Sequence, residues 1–123
     1  MININEVVIN GKIYIEKTSD NNLSSQLLDG MKYVIVRTYS AGVFAGYLKS
    51  RNGQEVILKK ARRLWSWSGA ASLSQLAQSG TSKPEACKFP EEVDQVELLQ
   101  AIEILDVTAK AKSSIDKVKT WIA

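Results

Sequence analysis

The sequence predicts an α+β fold, a small antiparallel β-meander with barrel-like curvature, one short helix after its third core strand and a C-terminal helix. Three observations carry this. β-Branched and apolar runs at 32–39, 43–50 and from 55 onward alternate and are separated by short Gly-containing turns. A Gly-Ala-Ala-Ser-Leu-Ser-Gln-Leu-Ala stretch follows the third run, in residue types that carry a short helix. Thr108 then stands before a lysine-bearing segment, Ala109 to about Val118, as a side-chain cap would.

Each element follows in chain order. In EVVINGKIYIE, Asn10-Gly11 sits between two apolar runs, and that dipeptide tolerates the positive φ angles of a type I′ turn, which predicts an N-terminal hairpin. Residues 17–30 are polar and Ser/Asn-rich and read as a linker, with room for one helical turn around Leu23, Leu27 and Leu28. The organisation expected is a hairpin and linker over 1–31 and one ligand-binding domain over 32–123. KYVIVRTY and VFAGYLKS flank Ala41-Gly42, and the Asn52-Gly53 turn leads into EVILKKARRLWSW, so these three runs form the meander. The short helix ends near Gly80, with Ser68 as its expected N-cap. TSKPEACKFPEEVDQ, with two prolines, reads as a long connection. The run 96–107 is ambiguous between helix and strand; the alternation of Val96, Leu98, Ile102 and Ile104 favours one strand.

Composition narrows the chemistry. The chain has 123 residues, 45% hydrophobic and 24% charged, a globular balance that suits one domain. No basic leader with an apolar stretch opens it and no run reaches the length of a membrane span, which reads as a cytosolic protein without membrane contact. The single cysteine, Cys87, has no internal disulfide partner. With no histidine and one cysteine, a zinc site or a histidine-based catalytic triad has no ligands, so no metal and no cofactor are expected. Glu91, Glu92 and Asp94 cluster, as residues of a solvated loop commonly do. What remains is binding by cations, indoles, hydroxyls and backbone amides.

Those groups converge at ARRLWSWSGAASLSQLA, residues 61–77. If the chain stays extended through it, Arg63, Trp65 and Trp67 share one face and Arg62, Leu64 and Ser66 the other. Gly69 and Ala70 are small enough for close backbone approach, and the first-turn amides near Ser72 would point at an anion. A guanidinium, two indoles and a helix start can stack a base and hold a phosphate. The plainer account is that the tryptophans anchor the core and the arginines lie on a solvated edge.

Residues 32–122 resemble a family of small phage and prophage proteins, the Thoeris anti-defence family, whose founding member is a nucleotide sponge. The motif that carries the resemblance is Arg63-x-Trp65-x-Trp67-x-Gly69-Ala70, continued by Ser72-Leu73-x-x-Leu76-Ala77. The resemblance implies a non-enzymatic role in the host bacterial cytoplasm: binding cyclic ADP-ribose isomers, or related cyclic nucleotides, without cutting them. It implies a homo-oligomer with pockets between protomers. The ligand set it implies adds Lys88 and Phe89, which close the similar run, and Lys112 and Lys117 of the last helix, where the family has arginines. Lysine lacks the planar fork that grips phosphate in a bidentate manner. A small basic nucleic-acid-binding protein is the alternative, against which stand a net charge of only +3 and four arginines. An enzyme using carboxylates or the Cys87 thiol ranks third, since no base is at hand to activate either.

Overall fold

The computed structural model describes residues 27–123, and the Asn10-Gly11 hairpin lies outside them. Five antiparallel strands form one sheet: β1 (Tyr33–Thr38), β2 (Val43–Asn52), β3 (Glu55–Arg63), β4 (Val93–Leu98) and β5 (Ala101–Asp106). Helix α1 (Leu73–Ser79) lies between β3 and β4, and α2 (Ala109–Asp116) follows β5. This is the α+β meander with a short and a C-terminal helix that the sequence predicts.

Strand order is β4-β3-β2-β1-β5, so the two edge strands are consecutive in the chain. Residues 99 and 100 alone join them, which requires the sheet to curl until its edges meet. The Gln100 carbonyl accepts from Tyr39 N–H at 2.9 Å, and Ala101 N–H donates to the Gln54 carbonyl at 2.9 Å, fastening the closed end. The single strand expected over 96–107 is therefore two. Their turn, Leu99-Gln100, holds no Gly, Pro, Asn or Asp, so nothing in the local sequence marks it. β4 also begins at Val93, inside the expected long connection, whose middle holds a single 3-10 turn at Pro84–Ala86.

Curling divides the apolar residues into two cores. Val34, Val36, Phe44, Val56, Leu58, Ala61, Leu98 and Ala101 pack together on the concave face of the curled sheet. On the outer face of β1 and β2, Tyr33, Ile35 and Ala45 pack with Leu64 and Phe89 under Leu76 and Ala77 of α1 and Ala111 and Ile115 of α2. Strand β1 is consequently buried on both faces, which explains the unbroken apolar run Tyr33–Val36.

Local signals place the helices with one shift. Thr108 caps α2, its hydroxyl accepting from Ala111 N–H at 3.0 Å. The cap of α1 is Ser72, accepting from Gln75 N–H at 3.1 Å, and not Ser68. At the other end of the described chain, Leu28 and Met31 exchange backbone bonds of 3.0 and 2.8 Å around Asp29 and Gly30, both at positive φ. A tight turn therefore occupies the end of the expected polar linker, where Asp-Gly supplies the backbone freedom.

Candidate functional site

Strand β3 delivers the arginine and tryptophan corner through an irregularity. Lys60 adopts φ +52°, and pairing with β2 shifts register opposite it, between Ala45 and Tyr47. Beyond this bulge Arg62 and Leu64 turn inward, while Arg63 and Trp65 are exposed. Arg62 is only 6% exposed. Its guanidinium lies 5.3 Å from the centre of the Phe89 ring. It donates to the Ile115 carbonyl at 3.2 Å and to the Phe89 carbonyl at 3.1 Å, and Nε has no partner. The buried cation thus ties β3 to the last turn of α2, where carbonyls carry partial negative charge.

Arg63 is held over its own sheet. Its guanidinium sits 4.5 Å from the centre of the Phe44 ring, across the β2–β3 pair, and donates to the Ala41 carbonyl at 3.3 Å. Trp65 is 62% exposed, whereas Trp67 is partly buried against the helix-side core. The face expected to unite Arg63, Trp65 and Trp67 is therefore split, because the strand ends at Arg63 and the alternation does not reach Trp67.

The small residues serve this chain's own packing. Gly69 has φ +80°, and a Cβ there would lie 2.5 Å from Lys83 N and from Thr81 Oγ1. Its carbonyl accepts from Ser82 N–H at 3.1 Å. Ala70 packs against the helix-side core. At the start of α1 the Gln75 N–H donates to Ser72 Oγ at 3.1 Å, and just before the cap Ala71 N–H donates to Gln75 Oε1 at 2.9 Å. Segment 81–83 occupies the space beside Gly69.

Residues 88–89 pair with the chain just after Trp65. Ser66 and Lys88 exchange backbone bonds at 3.2 and 2.7 Å, and Phe89 pairs in parallel with Thr120. Segments 65–67 and 120–121 therefore flank segment 88–89 on its two sides. The Lys88 ammonium stands 5.5 Å from the centre of the Trp121 ring, which is 45% exposed. Trp121 carries no motif, and only the fold brings it beside Lys88. Phe89 itself is fully buried and offers a ligand no surface.

The two α2 lysines of the expected set part company. Lys112 donates to Asp116 at 2.6 Å and lies 4.9 and 5.5 Å from the centres of the Tyr33 and Tyr47 rings. Burial works against its charge, but the Asp116 carboxylate and the Tyr47 hydroxyl outweigh burial and hold the ammonium above the ordinary lysine range. Burial, assisted by the negative charge of Asp116, raises the Tyr33 phenol well above its usual range. Lys117 lines a cavity of about 430 Å³ beside α2. Cys87 is buried, its thiol facing the carbonyls of Ser68 and Lys83 at 3.6 Å.

Among the described residues no group of three or more His, Cys, Asp or Glu side chains is placed to hold a metal, and no helix is long and apolar enough to cross a membrane. What the fold and surface define is a curled five-stranded domain with a two-helix cover, carrying an exposed indole, Trp121, beside Lys88 and a second exposed indole, Trp65, on a neighbouring segment. Residues 31–115 match the family described as a domain of unknown function (DUF6948), and the chain belongs to that family. No curated protein matches the chain. No solved structure matches it either.

Proposed function

We propose that this domain is a phage-encoded sponge: it binds a cyclic ADP-ribose-type nucleotide in the bacterial cytoplasm and releases it unaltered, withholding the signal from anti-phage defence. The observation that carries the reading is the exposed Trp121 indole beside the Lys88 ammonium, with exposed Trp65 on the segment that pairs with Lys88 through Ser66. An exposed indole offers a nucleobase a stacking face, an interaction worth about 1–3 kcal/mol per base. The adjoining ammonium offers the phosphates a charge. Neither group is needed to fill the core, unlike Trp67 and Phe89. Large aromatic side chains left at one end of the sheet also suit an interface, and the sponge is proposed to act as a homo-oligomer with this end shared between protomers.

Equilibrium dialysis against cyclic ADP-ribose isomers tests the proposal. Free ligand is expected to fall stoichiometrically with protein, tryptophan emission to change on binding, and heating to return the ligand with unchanged mass. Recovery of linear ADP-ribose overturns the sponge reading. Displacement of the ligand by single-stranded DNA of unrelated sequence instead assigns the indoles to nucleic-acid binding. Light scattering at micromolar concentration tests the oligomer, and a monomeric mass contradicts it.

A further inference from the structure

We propose that the cavity between α2 and the segment following α1 is a separate binding site for a phosphate-class dianion. It measures about 430 Å³. Lys110, Ser113 and Lys117 form one wall, and Ser79, Thr81 and Pro84 contribute to the other. Lys110 and Ser113 lie in α2 and Lys117 is its C-cap residue, still with helical backbone angles; the spacing i, i+3 and i+7 puts them on one face with a hydroxyl between two ammonium groups. Seven residues of helix separate the lysine backbones by about 10 Å, a gap that two long side chains close around one anion.

The charge balance points to a ligand. No carboxylate lines the cavity, and among the described residues neither Lys110 nor Lys117 has an ion-pair partner. The other lysine of α2, Lys112, is paired with Asp116. Lys110 is moreover the second residue of α2, where the helix dipole disfavours a cation. A dianion between the lysines relieves both mutual repulsion and the dipole conflict, and lysine serves phosphate as a mobile point charge. Hydroxyls supply the remaining contacts.

The site is built before any ligand arrives. Thr81 N–H donates to Ser114 Oγ at 2.9 Å, and Ser114 Oγ donates back to the Thr81 carbonyl at 3.3 Å. Gly80 lies so close to Ser114 that a Cβ has no room there. These contacts fix the two walls relative to each other. The cavity lies within one chain and enlists Lys110 and Ser113, whereas the resemblance places Lys117 in a pocket between protomers.

Titration with inorganic phosphate and with pyrophosphate, against chloride at matched ionic strength, tests the site by NMR shifts of the lysine side chains and α2 amides. Saturable binding is expected. Lys110→Gln with Lys117→Gln is expected to weaken it at least tenfold, the loss of about one charge-assisted bond or more. Circular dichroism checks that the variant is folded. Trp65→Ala is expected to leave phosphate binding intact while losing cyclic nucleotide, so the two proposals fail separately. Competition between phosphate and nucleotide would identify the anion as the nucleotide's own phosphate; independent binding would identify a second ligand, and either result supports the site. Absence of saturable binding, or equal affinity in the double variant, overturns it.

Discussion

Arg62 and Arg63 are adjacent, identical in chemistry and opposite in role, so their alanine variants make a controlled comparison. Arg62→Ala removes two charge-assisted bonds, each worth about 1.5–3 kcal/mol in general. It also removes a buried aliphatic stem and the contact with the Phe89 ring. Two effects offset the loss. The Ile115 and Phe89 carbonyls each keep a backbone donor, Val118 N–H at 3.1 Å and Trp121 N–H at 3.0 Å, so neither is orphaned. A buried cation with no ion-pair partner among the described residues is also relieved of its desolvation cost. The lower end of the range applies, and the net expectation is about 3 kcal/mol of destabilisation. Arg63→Ala gives up one 3.3 Å bond and an exposed cation–ring contact, worth under about 1 kcal/mol. Urea unfolding followed by circular dichroism measures both. Arg62→Met, which keeps the stem and drops the charge, separates packing from hydrogen bonding and should fall between the two. Equal losses at Arg62 and Arg63, or an Arg62→Ala loss under about 1 kcal/mol, would refute the assignment of Arg62 as the tie between β3 and α2.

Three further outcomes are expected. Gly69→Ala should cost at least about 2 kcal/mol by the same unfolding assay, because it combines a left-handed backbone with a Cβ 2.5 Å from Lys83 N. Trp65→Ala should change stability by less than about 1 kcal/mol, whereas Trp67→Ala should lose about 2–3 kcal/mol, since only the second ring packs on the core. Stability should be flat across neutral pH and decline above about pH 10. Tyr33 and Lys112 both bind their protons more tightly folded than unfolded, so their contribution is complete below the unfolded values and is lost as pH rises toward the folded ones. Tyr33→Phe, read by denaturation from pH 8 to 11, should reduce that alkaline decline.

The sequence made legible whatever is decided within a few residues. Asn52-Gly53 and Ala41-Gly42 mark the meander turns, and Thr108 marks the start of α2 with its own side chain. The Leu99-Gln100 turn was not legible, because its bend is imposed by distant partners: the Tyr39 N–H just after β1, which donates to the Gln100 carbonyl, and the Gln54 carbonyl of the β2–β3 turn, which accepts from Ala101 N–H. Arg62 misleads for a related reason. A charged residue is ordinarily read as solvated, and the carbonyls that hold this one belong to residues 27 and 53 positions away. Gly69 was legible as a place of close approach, but only the folded chain identifies the approaching backbone as segment 81–83. The pairing of Lys88 with Trp121 depends on bridges from Ser66 to Lys88 and from Phe89 to Thr120, which no periodicity encodes.

The curled sheet also sets an order of assembly. β1, β2 and β3 pair as chain neighbours, but β1 meets β5 only when Val34 finds Asp106 at the far end of the domain. Closing so large a loop loses more chain entropy than any hairpin, and the meander recovers contacts sooner for each residue fixed. The β1–β5 ladder is therefore the late step, and the outer core, which needs Val107 and α2 in place, matures with it. In native-state hydrogen exchange, amides of β5 should open at lower free energy than those shared by β2 and β3. The segment that carries Lys110 and Lys117 is thus anchored beside the ladder expected to form last and to open first.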